Sequence, residues 1–403
     1  MSNTTNIAAS APSSLPTLVN RAMDLGPALR GRCAETNELR QLPDATWNEL
    51  IQTGILRALQ PMRWGGGEVD FREFYSAISE VARAEGCAGW VAGVVGAHPW
   101  QIALYSKEAQ EEVWGDDPTT MNSSSYAPTG KAERVPGGFR LSGRWSFSSG
   151  CDHCRWVNLG GITGSIEIEG QQLPDFRSFL LPRKDYQIDD NWRVAGLAGT
   201  GSKDIVLDGA FVPEYRSQSH WDYVFGRQLP GWEYNSGPLY RLPFGAVFFR
   251  ALTASVVGAA QGFLDAWLEV SRTRFSFGSK VSEDPVVQKL AADASYVLKT
   301  VVRRDLDDCD EMMNIARKSE GFTLQQRAEL RYSAVASTQF ASQTVEQLFE
   351  ASGGHAIFLD HPLQRRYQDI KAMMRHVALN PHRAAKSFGS ARLIGQPILD
   401  YLL

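Results

Sequence analysis

The 403-residue chain is poor in the features that mark several large classes of protein. Its five cysteines (Cys33, Cys87, Cys151, Cys154 and Cys309) are odd in number and scattered, which argues against a disulfide framework. Charge of neither sign dominates. With 41 basic and 45 acidic residues the formal net charge is −4, and there is no basic block or acidic tail, so no nucleic-acid partner is expected. No run approaches the roughly 18 apolar residues of a spanning helix, and no membrane association is expected. Met1 to Leu15 is rich in Ser, Thr and Ala but lacks a basic start and an apolar core. It reads as a disordered tail rather than a signal peptide, and the protein as cytoplasmic. The dinucleotide fingerprint is missing as well: Gly196-Leu-Ala-Gly-Thr-Gly201 has no third glycine at the required place, so no nicotinamide site is expected. Cys151-Asp-His-Cys154 offers zinc-ligand residue types, but no second pair follows at suitable spacing, and no metal is expected.

What is present is 43% hydrophobic residues, ample for a large core, with 11 Trp. Three regimes follow the tail. Residues 16–120 have helical periodicity: Asp44 is placed to cap a helix carrying Trp47, Leu50, Ile51 and Ile55, and Phe71, Phe74, Ile78 and Val81 mark a second amphipathic helix. Residues 121–235 read as strands and turns, with Phe139–Gly143, Trp156–Leu159 and Ser178–Leu181 as strands and Gly137-Gly138 as a hairpin turn. The aromatic-rich stretch Ser217–Leu242 is irregular and is a candidate substrate-selecting lid. Residues 236–403 are helical again, in stretches near 244–275, 285–317, 323–352 and 363–392. The expected class is α+β, mainly α: an N-terminal helical domain, a small central β-domain and a C-terminal four-helix bundle.

That order resembles the acyl-CoA dehydrogenases, and local motifs support the likeness. Arg274-Phe-Ser-Phe277-Gly278 is similar to the family's Arg-x-x-Phe-Gly segment, in which the Arg reaches flavin phosphates across a subunit boundary. Gly353-Gly354 resembles its Gly-Gly turn near a neighbouring flavin, and Asp369-Ile-Lys371 its Arg-Asp-Ala-Lys helix, with Gln368 in place of the Arg. The family's catalytic Glu has no counterpart, since Arg375-His376-Val377-Ala378-Leu379 holds no carboxylate. Removal of an α-proton from a thioester is therefore not expected. The departures resemble another branch, the oxygenase components of two-component flavin monooxygenases such as the 4-hydroxyphenylacetate and hydroxylated-steroid hydroxylases. The loop Asn122-Ser-Ser-Ser-Tyr-Ala-Pro-Thr-Gly130, the segment Trp145-Ser-Phe-Ser-Ser-Gly-Cys-Asp-His153, and Cys87-Ala-Gly-Trp90 with His98 carry that likeness.

The resemblance implies a reduced flavin (FADH2 or FMNH2), O2, a separate NAD(P)H-dependent flavin reductase, a homotetramer, and hydroxylation of a phenolic or indole-type aromatic through a flavin C4a-hydroperoxide. It implies that His98 and His376 orient and polarise the substrate and that Ser149 protects the peroxide. Trp90, Ser124, Ser125, Ser148, Ser149, Arg274, Phe277, Gly353 and Gly354 would contact the flavin. Each residue also has an ordinary reading: a helix-end or bundle His bonded to backbone, turn serines, a core Trp, an Arg in a surface ion pair. N- or S-oxygenation by the same intermediate, acyl-thioester desaturation and a non-catalytic flavin-binding role are the alternatives.

Overall fold

The computed structural model describes residues 17–399 apart from 169, 228, 277, 319 and 320. The expected tail, Met1–Leu15, and the expected flavin contact Phe277 lie outside the described residues.

Six helices open the described chain: α1 (Leu18–Gly31), α2 (Cys33–Leu39), α3 (Asp44–Gln52), α4 (Phe71–Ala84), α5 (Gly86–Ile102) and α6 (Lys107–Trp114). On α4 the side chains of Phe71, Phe74, Ile78 and Val81 form one stripe and are all fully buried, while Asp70 caps it by accepting the Arg72 amide at 3.0 Å. Asp44 does not cap α3. Pro43 occupies that position, and Asp44 is the first helical residue, where its charge suits the helix dipole instead. α5 is apolar on every side, and such a helix must lie inside; Glu85 caps it, accepting the Ala88 amide at 2.6 Å.

Seven strands follow: β1 (Asn122–Val135), β2 (Gly138–Ser148), β3 (Trp156–Ile168), β4 (Gln171–Pro182), β5 (Gln187–Asp189), β6 (Lys203–Pro213) and β7 (Ser217–Ser219). They form one sheet in the order β5-β6-β2-β1-β3-β4-β7, antiparallel except for the parallel pair β1–β3. Two local expectations change. The hairpin turn is Pro136-Gly137, with Gly138 already paired to Val135. The serine-rich segment is a strand rather than a loop: Asn122, Ser123, Ser124 and Ser125 pair with Trp156, Val157, Asn158 and Leu159. These four residues are buried, and a buried backbone needs ladder partners.

The short helix α7 (His220–Val224) leads to α8 (Phe244–Thr273), a ribbon of β8 (Phe275–Ser276) and β9 (Ser279–Lys280), and then α9 (Pro285–Lys318), α10 (Leu324–Glu350), α11 (Pro362–Met373) and α12 (Pro381–Ile394). The stretch near 363–392 is thus not one helix. It breaks at Met374–Asn380, because Asn380 precedes Pro381 and a residue before proline is pushed out of the helical region; Asn380 then caps α12 through the amides of His382 and Arg383. Among the described residues one helix is long and apolar enough to cross a membrane, which was not expected from the sequence. It is α8, and 89% of its most apolar window is buried among α4, α5 and the bundle. α8 touches α4 backbone to backbone: a Cβ on Gly258 would lie 2.2 Å from the Ser79 carbonyl, and one on Gly262 would lie 2.1 Å from that of Arg83.

Inside the bundle Arg250 of α8, wholly buried, pairs with Asp305 and Asp308 of α9, also wholly buried. Tyr75 of α4 and Ser337 of α10 each donate to Asp305 at 2.6 Å, and Ser333 of α10 donates to Asp308 at 2.5 Å. Burial pushes the Asp305 carboxyl above its usual range even against the pull of Arg250. Arg250→Met should cost roughly 3–5 kcal/mol at neutral pH by leaving the buried Asp305 carboxylate without a cation, while Asp308 keeps Arg304 at 2.7 Å. Without the cation the folded pKa of Asp305 rises further above its unfolded value, so the deficit should shrink as pH falls. Denaturant titrations of both proteins at pH 7.5 and 5.5 check this; a deficit independent of pH would count against it.

Candidate active site

Trp90, Val94, His98 and Gln101 fall on one face of α5, at intervals of four, four and three residues. The stripe runs about 16 Å along the helix. It faces β1 and the turn after β2 on one side, and the N-terminal half of α8 on another.

At one end lies His98. Its ring is wholly buried and neither nitrogen has a hydrogen-bond partner among the described residues. Its neighbours are the rings of Phe248 at 5.3 Å and Tyr126 at 6.2 Å between centroids. Burial alone lowers its pKa to about 3, so the imidazole is neutral and presents one donor and one acceptor. An unmet pair of buried polar atoms costs on the order of 1–3 kcal/mol each and calls for an explanation.

Around His98 the neighbouring phenol, amides and hydroxyls form hydrogen bonds with one another. The Tyr126 hydroxyl donates to Gln101 Oε1 at 2.5 Å, which also accepts from Asn158 Nδ2 at 3.2 Å, and Ser124 bonds to the same phenol. His220 Nε2 meets Ser178 Oγ at 2.6 Å, and its ring lies 4.8 Å from Phe244 and 5.8 Å from Tyr126. Burial holds the Tyr126 phenol well above its ordinary pKa, so it stays protonated. Tyr126, His220, Phe244 and Phe248 were not singled out from the sequence. Phe244 and Phe248, four apart on α8, look like any core pair until the fold turns them toward His98. The aromatic stretch Ser217–Leu242 forms a wall rather than an outlying lid: Tyr223, Leu229, Leu239, Tyr240 and Leu242 are buried in the main core.

At the other end Trp90 Nε1 donates to Ser149 Oγ at 3.2 Å, and the His376 ring lies 5.7 Å from the indole. His376 sits in the break between α11 and α12. Its Nδ1 accepts the Ala378 amide at 3.2 Å, which leaves Nε2 to carry the proton. The surrounding protein lowers its pKa, and its exposed face admits water that tempers this. Ser149 Oγ meets Ser202 Oγ at 2.7 Å, Ser202 meets Thr200 Oγ1 at 2.7 Å, and Thr200 donates to the Leu197 carbonyl at 2.8 Å. Thr200 and Ser202 carry no motif of their own in the sequence, where only the glycine-rich run Gly196–Gly201 stands out. Their loop is clamped to α11: the Leu197 amide donates to Asp369 at 2.6 Å, and burial raises the Asp369 carboxyl to about 7. Ser148 and Ser125 are engaged elsewhere, with Ser123 at 3.0 Å and the Ser146 carbonyl at 2.7 Å. Phe147 takes a left-handed backbone (φ 70°), a strained choice for an aromatic residue that turns the chain just ahead of Ser149.

The Cys151–Cys154 segment is dispersed among separate partners. Cys151 bonds the Gly201 carbonyl, Asp152 pairs with Lys203 at 2.8 Å, and His153 meets the Leu42 carbonyl at 2.8 Å while stacking on Trp47. Arg274 and Gly353 do come together: the guanidinium donates to the Ala351 carbonyl at 2.8 Å and to that of Ser352. A Cβ on Gly353, at φ 75°, would lie 3.0 Å from that guanidinium. They stand apart from the stripe, because Arg274 lies 19 residues, about 28 Å, along α8 from Ser255, which bonds the Gly89 carbonyl beside Trp90.

A planar, hydrogen-bonding cofactor suits the Trp90–Ser149 end, with an aromatic face, hydroxyls and a histidine N–H, and an aromatic substrate suits the His98 end. The family models for the acyl-CoA dehydrogenase N-terminal and C-terminal domains match residues 28–119 and 251–381. The flavin-dependent monooxygenase oxygenase subunit HsaA of Rhodococcus jostii (strain RHA1) is 39% identical over 380 residues, covering 94% of this chain and 98% of the relative. The oxygenase component of an FADH(2)-dependent resorcinol hydroxylase from Rhizobium sp. (strain MTP-10005) is 32% identical over 394 residues, covering 95% and 96%. The crystal structure of a 3-HSA hydroxylase from Rhodococcus sp. RHA1 superposes with a TM-score of 0.90 at 38% identity, covering 96% of this chain and 99% of that one. A helical frame around one sheet, the hydroxyl-lined stripe on α5 and these matches agree: the chain belongs to the oxygenase subunits of the flavin-dependent monooxygenases, built on the acyl-CoA dehydrogenase fold.

Proposed function

We propose that this oxygenase subunit hydroxylates a phenolic or indole-type aromatic, with reduced flavin delivered by a separate NAD(P)H-dependent reductase. The observation that carries this reading is His98: a neutral, buried imidazole, both nitrogens without a partner among the described residues and walled by aromatic rings, suits a ligand that is flat, apolar and hydrogen-bonding at one edge. Relatives named for a phenol, resorcinol, and for indole-3-acetate support the substrate class. When bound, the reduced flavin supplies, with O2, the oxygen atom that is transferred.

The residues of this chain then act as follows. His98 accepts a proton or hydrogen bond from the substrate hydroxyl or ring N–H at whichever nitrogen is unprotonated, which enriches the ring in electrons for attack by an electrophilic oxygen. His376, with its proton on Nε2, donates toward the flavin–substrate junction. Trp90, Ser124 and Ser149 line the flavin, and the closed aromatic wall excludes water. Arg274 and the Gly353-Gly354 turn, remote from the stripe, serve the flavin of a neighbouring chain in a homotetramer in the cytoplasm. Large apolar side chains exposed on the helical bundle and its 353–359 turn, including Tyr296, Phe340, Phe358 and Leu393, are available for those contacts. Bidentate guanidinium geometry suits a phosphate.

Mixing anaerobically reduced flavin and protein with 18O2 and a panel of phenols and indoles should give a product carrying one 18O atom; H2O2 alone across the panel would overturn the proposal. His98→Ala should keep O2 consumption but lower product per O2 about tenfold or more, the loss of one directed hydrogen bond. Because the folded pKa of His98, about 3, lies below its ordinary 6.5, acid favours the unfolded state between those values. His98→Gln should therefore flatten the fall of stability from pH 6.5 to 4 by up to one proton, about 1.4 kcal/mol per pH unit. Light scattering should return four chains per particle, and Arg274→Ala should weaken flavin binding without changing that number.

A further inference from the structure

We infer that Thr200 and Ser202 are positioning residues that hold Ser149 as a hydrogen-bond acceptor only, so that the Trp90–Ser149 face prefers the reduced flavin ring to the oxidised one. The inference rests on the reading that the flavin lies against that face.

The direction of each hydrogen bond follows from counting protons. Three contacts link Leu197 O, Thr200 Oγ1, Ser202 Oγ and Ser149 Oγ, at 2.8, 2.7 and 2.7 Å. The three hydroxyls bring three protons, and the chain ends on a carbonyl, which has none to give. Only one assignment puts a proton in every contact: Thr200 donates to Leu197, Ser202 to Thr200, and Ser149 to Ser202. Any other leaves two oxygens facing each other with nothing between them. From the opposite end the Trp90 indole, which can only donate, gives its N–H to Ser149 at 3.2 Å. Ser149 has then used its proton and one lone pair, and a single lone pair remains for the site. The hydroxyls are buried, Ser149 at 5%, Ser202 at 3% and Thr200 at 1% exposure, so water does not readily scramble the order.

An oxidised isoalloxazine presents its N5 as an acceptor, and two-electron reduction adds a proton there and makes it a donor. A hydroxyl that can only accept repels the first and binds the second. The chain of hydroxyls thus sets which redox form the site selects, although Thr200 and Ser202 need not touch the ring.

The test is equilibrium binding, without turnover, of oxidised flavin and of anaerobically dithionite-reduced flavin to the full-length protein. Wild type should bind the reduced form more tightly. Thr200→Val preserves shape but removes the last proton acceptor before the carbonyl, and Ser202→Ala removes the next. Either frees the Ser149 proton to turn into the site, and the ratio of oxidised to reduced Kd should fall about tenfold. Thr200→Ser should restore it, and a residue with a merely structural role would weaken both forms alike. An unchanged ratio in variants that bind flavin overturns this inference and leaves the proposed function standing; wild type that binds neither form overturns both. If Ser202→Ala does not fold, the Thr200→Val and Thr200→Ser pair decides alone.

Discussion

A guanidinium with no access to water sets the geometry on which the site depends. Arg250 is held by two carboxylates of α9, which in turn accept from α4 and α10, so four helices are keyed to one charge. Breaking such a cluster strands a charge, and alternative rotations of α8 are penalised. Phe248 and Phe244 lie about 200° and 240° around the helix from Arg250. Fixing the charged side of α8 therefore fixes its opposite side, and that side is the aromatic wall facing His98, Tyr126 and His220. Glycines at 258 and 262 let α4 lie directly on the same helix, which seats α5 against it.

Within this frame the stripe on α5 divides the site by polarity. At the Trp90 end the hydroxyls of Ser149, Ser202 and Thr200 form a chain that ends on backbone. Around Tyr126 and Gln101 the amides and phenols satisfy one another. His98, by contrast, has no partner for either of its nitrogens among the described residues. That cost is borne where a ligand can remove it. The Asp369 carboxyl joins the two halves of the chain at this point, since it accepts from the loop carrying Thr200 and Ser202 and belongs to the helix that leads into His376.

Much of this was legible in the residues. The stripe of Phe71, Phe74, Ile78 and Val81 and the switch from period 3.6 to period 2 near residue 121 pointed to the architecture, and the resemblance carried by the serine-rich and Ser-Gly-Cys-Asp-His segments made Trp90, His98, Ser149 and His376 candidates. The errors were local and physical. The run Asn122–Ser125 read as a loop because serine favours turns, yet its burial demands a ladder. The stretch 363–392 read as one helix because its periodicity continues across Met374–Asn380, while the Asn380-Pro381 pair interrupts it. Thr200 and Ser202 carried no signal of their own, since a hydroxyl chain is built from residues 149, 200 and 202 only after β2 and β6 pair.

By itself the sequence determined the kind of protein this is. Its periodicities indicate most of the helices and strands, and its short motifs carry the family, because both depend on residues close together along the chain. The tertiary structure decided the chemistry of the site. The neutrality of His98, the acceptor role of Ser149 and the separation of Arg274 from the stripe follow from burial and from hydrogen-bond partners contributed by distant segments. Protonation state and bond direction are set by surroundings in space, and no spacing along the chain encodes them.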